Sequence, residues 1–383
     1  AISEVGSGRL LFDFSHKIEF SGELMVSRRR LRRCLEASLK KATIVLGAGA
    51  SLDYGYPLWN GLKDELKGLD LSSFFDSIEE TDPTTRSAYQ NAHSEFLKAL
   101  QAAPRKTLDQ IVFEIDVPKS KHLDPTGWRL MNLVGFLLGQ KEQGGIVGWV
   151  SDLQEVLVDH VAQFDAEGDQ HKNHLDWLSV ISLNYDRSFQ HYVQHNFFQK
   201  VIGRQAFDPH WGAKGSAHFS RNTSFGLSQP HGRVSPLPNS HRSRAVGMNP
   251  SLVVNTGPSQ GWRSAGNETS ATYASKQICN KQNINRMGRT MYVVDEREAS
   301  DYQHSNRHLQ EAEVVFLLGL SPTGIDQSGL HFLEGRELYF SNPPPDQMQS
   351  KKLQASKNCQ PMNATQMLRA KDFPAFFKKT MGL

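Results

Sequence analysis

Apolar and polar positions alternate in blocks along this chain, and the blocks predict its elements. Ala42 to Leu46 is an unbroken apolar run rich in β-branched residues, followed at once by Gly47-Ala-Gly-Ala-Ser51. Such a run predicts a strand buried on both faces that feeds a glycine turn. Leu58, Leu62, Leu66 and Leu69 recur at helical spacing, which predicts a helix after the turn. Residues 72–165 keep a helical period. Asp82-Pro83 opens one helix with proline at its first position. Ile146, Val150, Leu153, Leu157, Val161 and Phe164 mark another. This block is too long for a simple crossover and is expected to be an inserted helical module.

A second buried strand is predicted over Trp177 to Leu183, running into Asn184-Tyr-Asp186 and a helix from Ser188 to about Gln199. Residues 208–290 change character and are rich in Gly, Ser, Asn and Pro. Further strands are predicted at Thr290 to Val294, Glu313 to Leu320 and Arg336 to Phe340, the last ending at Ser341-Asn342. Asn342-Pro-Pro-Pro345 breaks the chain, and a final helix is predicted over Asp372 to Met381. Strand, glycine turn, helices and further strands together predict an α/β protein with a doubly wound, Rossmann-like parallel sheet. Ligands of such sheets lie beyond the carboxyl ends of the strands. The polar residues that follow each apolar run are therefore the site candidates.

Composition narrows the class. The 383 residues carry 38% hydrophobic and 22% charged side chains, which excludes collagen-like and wholly disordered chains. Cys34, Cys279 and Cys359 stand far apart with no CxxC, so no four-cysteine zinc ribbon is expected, and a reducing cytoplasm fits. The longest apolar runs fall short of the ~18 residues of a membrane span, and the N-terminus lacks a signal pattern. The chain begins with Ala, so a processed or trimmed start is expected.

The glycine turn does not complete GxGxxG, because Leu52 takes the sixth position, and no Gly-Lys-Ser/Thr makes a P-loop. The longer phrase Val45-Leu-Gly-Ala-Gly-Ala-Ser-Leu-Asp-Tyr-Gly-Tyr-Pro57 is more specific. It resembles the first motif of the sirtuin family. Three more pieces follow in that family's order: Leu183-Asn-Tyr-Asp186, Gln229-Pro-His-Gly232, and Val314-Val-Phe-Leu-Leu-Gly-Leu-Ser321. The resemblance spans roughly residues 42–342. It departs from the deacylases of the family in lacking a zinc module, in continuing Leu58-Trp59-Asn60 after the proline, and in reading Asn-Tyr-Asp in the second motif. Thr107-Leu-Asp109 also looks like the bacterial branch. The closest resemblance is to sirtuin-like NAD-consuming effectors of bacterial antiphage defence, in particular the subunit that pairs with a HerA-type ATPase.

The resemblance implies a sirtuin-type sheet and NAD as substrate without zinc. It implies hydrolysis to ADP-ribose and nicotinamide during abortive infection, by a homo-oligomer under a trans-acting activator. Residues 1–41 would form an N-terminal helical arm carrying five arginines between Arg28 and Arg33, and 343–383 a C-terminal extension and helix. On this reading no large fused sensor is expected in the remaining length. On this reading His231 accepts a proton, Asn184 holds a water or the ribose by both ends of its amide, and Asp186 orients the ribose or nicotinamide side. Gly47, Ala48, Gly49, Ala50, Ser51 and Pro57 form the pyrophosphate turn, and Gly319, Ser321 and Asn342 serve the adenosine half. Plainer roles stay open. Asn184 and Asp186 suit a helix cap, His231 a loop histidine, Ser321 and Asn342 simple turns. His191/His195 and His304/His308 have four-residue spacing but no HExxH, and are expected to be solvated or packed. Other readings are a deacylase, an ADP-ribosyltransferase, or a nucleotide sensor without turnover.

Charge adds one feature. The net +3 conceals a +9 segment from Pro209 to Val294, where Glu268 faces ten Lys and Arg, and leaves −6 elsewhere. That basic stretch surrounds His231 and can steer an anion into a cleft. Direct nucleic-acid contact is the less favoured reading, because aromatics are sparse there.

Overall fold

The computed structural model describes residues 39–116, 126–141, 149–165, 175–185, 210–211, 217–218, 226–231, 284, 291, 299–332, 335–341, 359–361 and 372–383. The chain divides into Ala1–Leu39 and Lys40–Leu383, and every strand and helix among the described residues belongs to the second unit. The helix expected at Ser188, the strand at Thr290 and most of the basic segment lie outside the described residues.

Eight strands form one sheet. They are β1 (Ala42–Leu46), β2 (Leu178–Ser182), β3 (His210–Trp211), β4 (Ala217–His218), β5 (Gly226–Ser228), β6 (Val314–Leu318), β7 (Glu337–Ser341) and β8 (Cys359–Pro361), in the order β3-β4-β5-β2-β1-β6-β7-β8. The six from β5 to β8 pair in parallel, and β3 and β4 add an antiparallel edge. Numbered along the chain, the parallel strands run 3-2-1-4-5-6. This is the order of the dinucleotide-binding doubly wound sheet, whose switch point lies beside its first strand. The α/β Rossmann-like expectation therefore holds. β1 and β6 are buried at every position, as a central parallel strand requires.

Alternation along the strands sorts the core. Val45, Ile181, Val315, Leu317, Leu338 and Phe340 face α7 (Ala299–Glu311), packing with Tyr302, Leu309 and, just past its end, Ala312. On that face Ser179 Oγ pairs with His308 Nδ1 at 3.1 Å, and Thr43 donates to the His308 carbonyl. His308 also leaves no room for a Cβ at Gly226. It is a packed histidine. Phe316 and Tyr339 stack on the opposite face, against Phe376 of α9 (Phe373–Met381), and Phe316 also meets Phe373 and Phe377. α6 (Trp149–Asp165) covers the same face, with Trp149 edge-on to Phe373. Trp177, just before β2, stacks on Phe377.

Between β1 and β2 lies the helical module. Its helices before α6 are α1 (Trp59–Lys67), α2 (Leu71–Ser77), α3 (Pro83–Ala102), α4 (Leu108–Asp116) and α5 (Thr126–Lys141). α5 is buried almost all round and forms the module's axis. Asp70 and Asp82 cap α2 and α3 by accepting N–H bonds from Ser72/Ser73 and Thr84/Thr85. Tyr56 and Tyr185 join the module's core, so the ends of β1 and β2 are tied to it.

The helix expected from the Leu58, Leu62 and Leu66 spacing is α1. It does not follow the glycine turn at once. A 3-10 helix, Ala48–Tyr54, comes first and ends at Gly55 with φ 82°. Gly55 and Pro57 stop it, and α1 starts only at Trp59 with Leu58 exposed as its N-cap. Among the described residues, no helix is long and apolar enough to cross a membrane, and no group of His, Cys, Asp and Glu could hold a metal.

Candidate functional site

The carboxyl ends of β1, β2, β5 and β6 meet at one edge of the sheet. β1 leads into the Gly47 turn and β6 into Gly319, and the two turns dock on each other. Gly47 N–H donates to the Leu318 carbonyl at 2.8 Å, and Gly49 N–H to the Gly319 carbonyl at 2.9 Å. A Cβ on Gly49 would lie 2.8 Å from Gly319 Cα, and one on Gly319 would lie 2.0 Å from Ala50 N. Gly319 also has φ 65°, a left-handed conformation that favours glycine. Ser341 at the end of β7 accepts the Gly319 N–H at 3.0 Å and locks this turn from the other side.

Asn184, two residues past β2, fastens the same turn. Its Nδ2 donates to Gly47 O at 2.8 Å and to Ser51 Oγ at 3.0 Å. The carbonyl partner fixes the amide's orientation, because only the NH₂ end can donate to it. The expectation that both ends of this amide serve a ligand is thus corrected: the nitrogen belongs to the glycine turn, and the oxygen is the end left to offer. Trp149 Nε1 donates to Ala50 O at 3.0 Å, so α6 pins the 3-10 helix from the module side.

These bonds redistribute the turn's roles. The N–H groups of Gly47, Gly49 and Ala50 are spent on Leu318, Gly319 and Gly47 carbonyls. Gly47 and Gly49 therefore act through close packing. Ala48 opens the 3-10 helix, where a first-turn N–H has no intrahelical partner, and it lines the adjoining pocket. Ala48, Ser51, Tyr56, Pro57, Asn184 and Tyr185 border this pocket, with Leu62, Leu138 and Leu183 as its apolar wall. The space between these residues is about 370 Å³ with its open mouth included.

His231 lies in a turn just beyond β5 and is 7% exposed. Its ring centroid is 6.1 Å from that of Tyr185, which lines the pocket, and 6.3 Å from that of Tyr302 on α7. The structure thus gathers Ala48, Ser51, Pro57 and Asn184 around one pocket and places His231 one ring away. Ser321 stands apart: its exposed hydroxyl accepts the Gly324 N–H at 3.0 Å and caps α8 (Pro322–Gln327). Asp186 and Asn342 lie outside the described residues.

Sequence reasoning missed several participants. Tyr185 and Trp149 look like ordinary apolar positions until the fold brings them to the turn. Gln229 stands in the Gln229-Pro-His-Gly232 phrase, yet only the structure shows its side chain 1% exposed with neither amide atom hydrogen-bonded. A scan against protein-family models gave no match, and a search of curated proteins gave no significant one.

Proposed function

We propose that this chain is a sirtuin-like NAD hydrolase, releasing ADP-ribose and nicotinamide as an effector of bacterial antiphage defence. The observation that carries the reading is the Asn184 amide bonded to both Gly47 and Ser51, beside a pocket bordered by Tyr185 and close to His231. This couples the end of β2 to the glycine turn at the switch point of a 3-2-1-4-5-6 sheet, where dinucleotides bind. The order of the four sirtuin-like motifs along the chain supports the same reading.

The chemistry asks little of the protein. The bond between ribose C1′ and the nicotinamide nitrogen breaks with its electron pair passing to that nitrogen, so the cationic ring leaves as neutral nicotinamide. Charge builds at C1′ as in glycoside cleavage. Water attacks C1′ and gives up a proton, which His231 accepts, since imidazole titrates near neutral pH. The Asn184 carboxamide oxygen orients the water or a ribose hydroxyl. The apolar wall of Leu62, Leu138 and Leu183 limits competing water. An uncontrolled enzyme of this kind would exhaust the host's NAD, so control by a partner such as a HerA-type ATPase, in a homo-oligomeric assembly, belongs to the same proposal.

The test is nicotinamide release by chromatography, with and without an acetylated peptide, for the wild type and His231→Ala. The expected result is peptide-independent release that falls at least ~10²-fold in the variant. Release that requires the peptide would replace hydrolysis by deacylation.

A further inference from the structure

We propose that Gln229 is a specificity-determining residue that reads the carboxamide of the ligand's nicotinamide end. The inference rests on the NAD reading above and deepens it. Gln229 is 1% exposed, and neither its Nε2 nor its Oε1 has a hydrogen-bond partner. Buried amides in native proteins are almost always satisfied, so a fully buried one with both ends open marks a place that something else completes.

Position says what that something is. β5 pairs with β2 in the register Ser179↔Gly226 to Ile181↔Ser228, and one further step sets Gln229 beside Ser182. Ser228 bonds Ser305 of α7 at 2.6 Å, so it faces that helix. By alternation Gln229 falls on the other face, the one that Ser182 and Asn184 share. Ser182 Oγ accepts the Asn184 N–H at 3.3 Å, so this strand end is continuous with the residue that holds the glycine turn. His231 follows two residues later. Gln229 thus lies on the β2–β5 side of the central strand, together with the residues proposed for the scissile end and away from Gly319 and Ser321.

A primary amide with both ends open offers one donor edge and one acceptor edge about an oxygen–nitrogen span apart. Its closest complement is another primary amide, met by two parallel hydrogen bonds. NAD carries one at its nicotinamide ring. A carboxylate in that position offers no donor to the Gln229 oxygen and brings a charge into a buried site.

The experiment is calorimetric titration in the cold of the full chain with NAD and with nicotinic acid adenine dinucleotide, alongside Gln229→Met. Methionine keeps the length and removes both polar ends, so a thermal midpoint at or above that of the wild type is expected, since an unsatisfied buried amide is lost. The wild type should bind NAD roughly tenfold or more tightly than the acid form, and the variant should lose that preference. Equal wild-type affinities overturn the proposal without needing any variant. So does a Gln229→Met protein that keeps the wild-type preference, the result expected if Gln229 only houses a water. Absence of NAD binding by the wild type is a separate failure, which removes the NAD reading and this inference with it.

Discussion

At the scale of single residues, burial decides how polar groups behave. Tyr89 on α3 is 1% exposed and its hydroxyl accepts from Asn132 Nδ2 on α5 at 3.0 Å. Burial pushes its phenol up to about 12, against a smaller opposing effect of the Asn132 bond. The folded protein therefore holds this proton more tightly than the unfolded chain. Its contribution is fully present below pH ~10 and is lost as pH rises from there through about 12. We expect thermal melts to show an alkaline loss of order 2–3 kcal/mol from this group, absent in Tyr89→Phe. At neutral pH that variant should be less stable by roughly 1–3 kcal/mol, because the Asn132 amide loses its buried acceptor. An unchanged alkaline slope in Tyr89→Phe would contradict the assignment.

At the scale of elements, the sequence was most legible where burial was most uniform. β1 falls on the apolar run from Ala42 to Leu46 with both ends matched, and β2, β6 and β7 lie within a residue or two of expectation. All four are strands that neighbours cover on both faces, so apolar side chains are required nearly throughout. β5 is Gly-Leu-Ser, and β3, β4 and β8 are two or three residues long. Such segments carry no readable period, because their place is fixed by pairing rather than by their own side chains. The glycine turn was legible as a turn, but its docking was not. Gly47 and Gly49 suggested backbone brought close to a phosphate; the structure shows that with Gly319 they also let two turns interlock. The partner of each glycine lies some 270 residues away in sequence, beyond any local pattern. Gly319→Ala puts a methyl group 2.0 Å from Ala50 N and asks alanine to hold φ 65°. The expected outcome is a lower thermal midpoint together with lost NAD binding, even though Gly319 does not border the pocket. A Gly319→Ala protein that melts and binds like the wild type would show that the docked turns do not hold the site.

At the scale of the whole molecule, the helical module and the sheet are bonded through the site itself. Trp149 reaches Ala50, and Tyr56 and Tyr185 lie in the module's core while bordering the pocket. A rearrangement of the module would thus reach the pocket directly, which is the route that the proposed control by a partner would use. The site candidates from the sequence divide along the same line. Ala48, Ser51, Pro57 and Asn184 converge because they follow strands that end side by side, whereas Ser321 is taken up as a helix cap. The central claim is that this convergence cleaves NAD. The most direct measurement is mass-spectrometric counting of nicotinamide and ADP-ribose from NAD, using the full chain together with whatever protein co-purifies with it. The account predicts the two products in equal amounts, with neither formed by Asn184→Leu. Intact NAD after prolonged incubation with that assembly would contradict it.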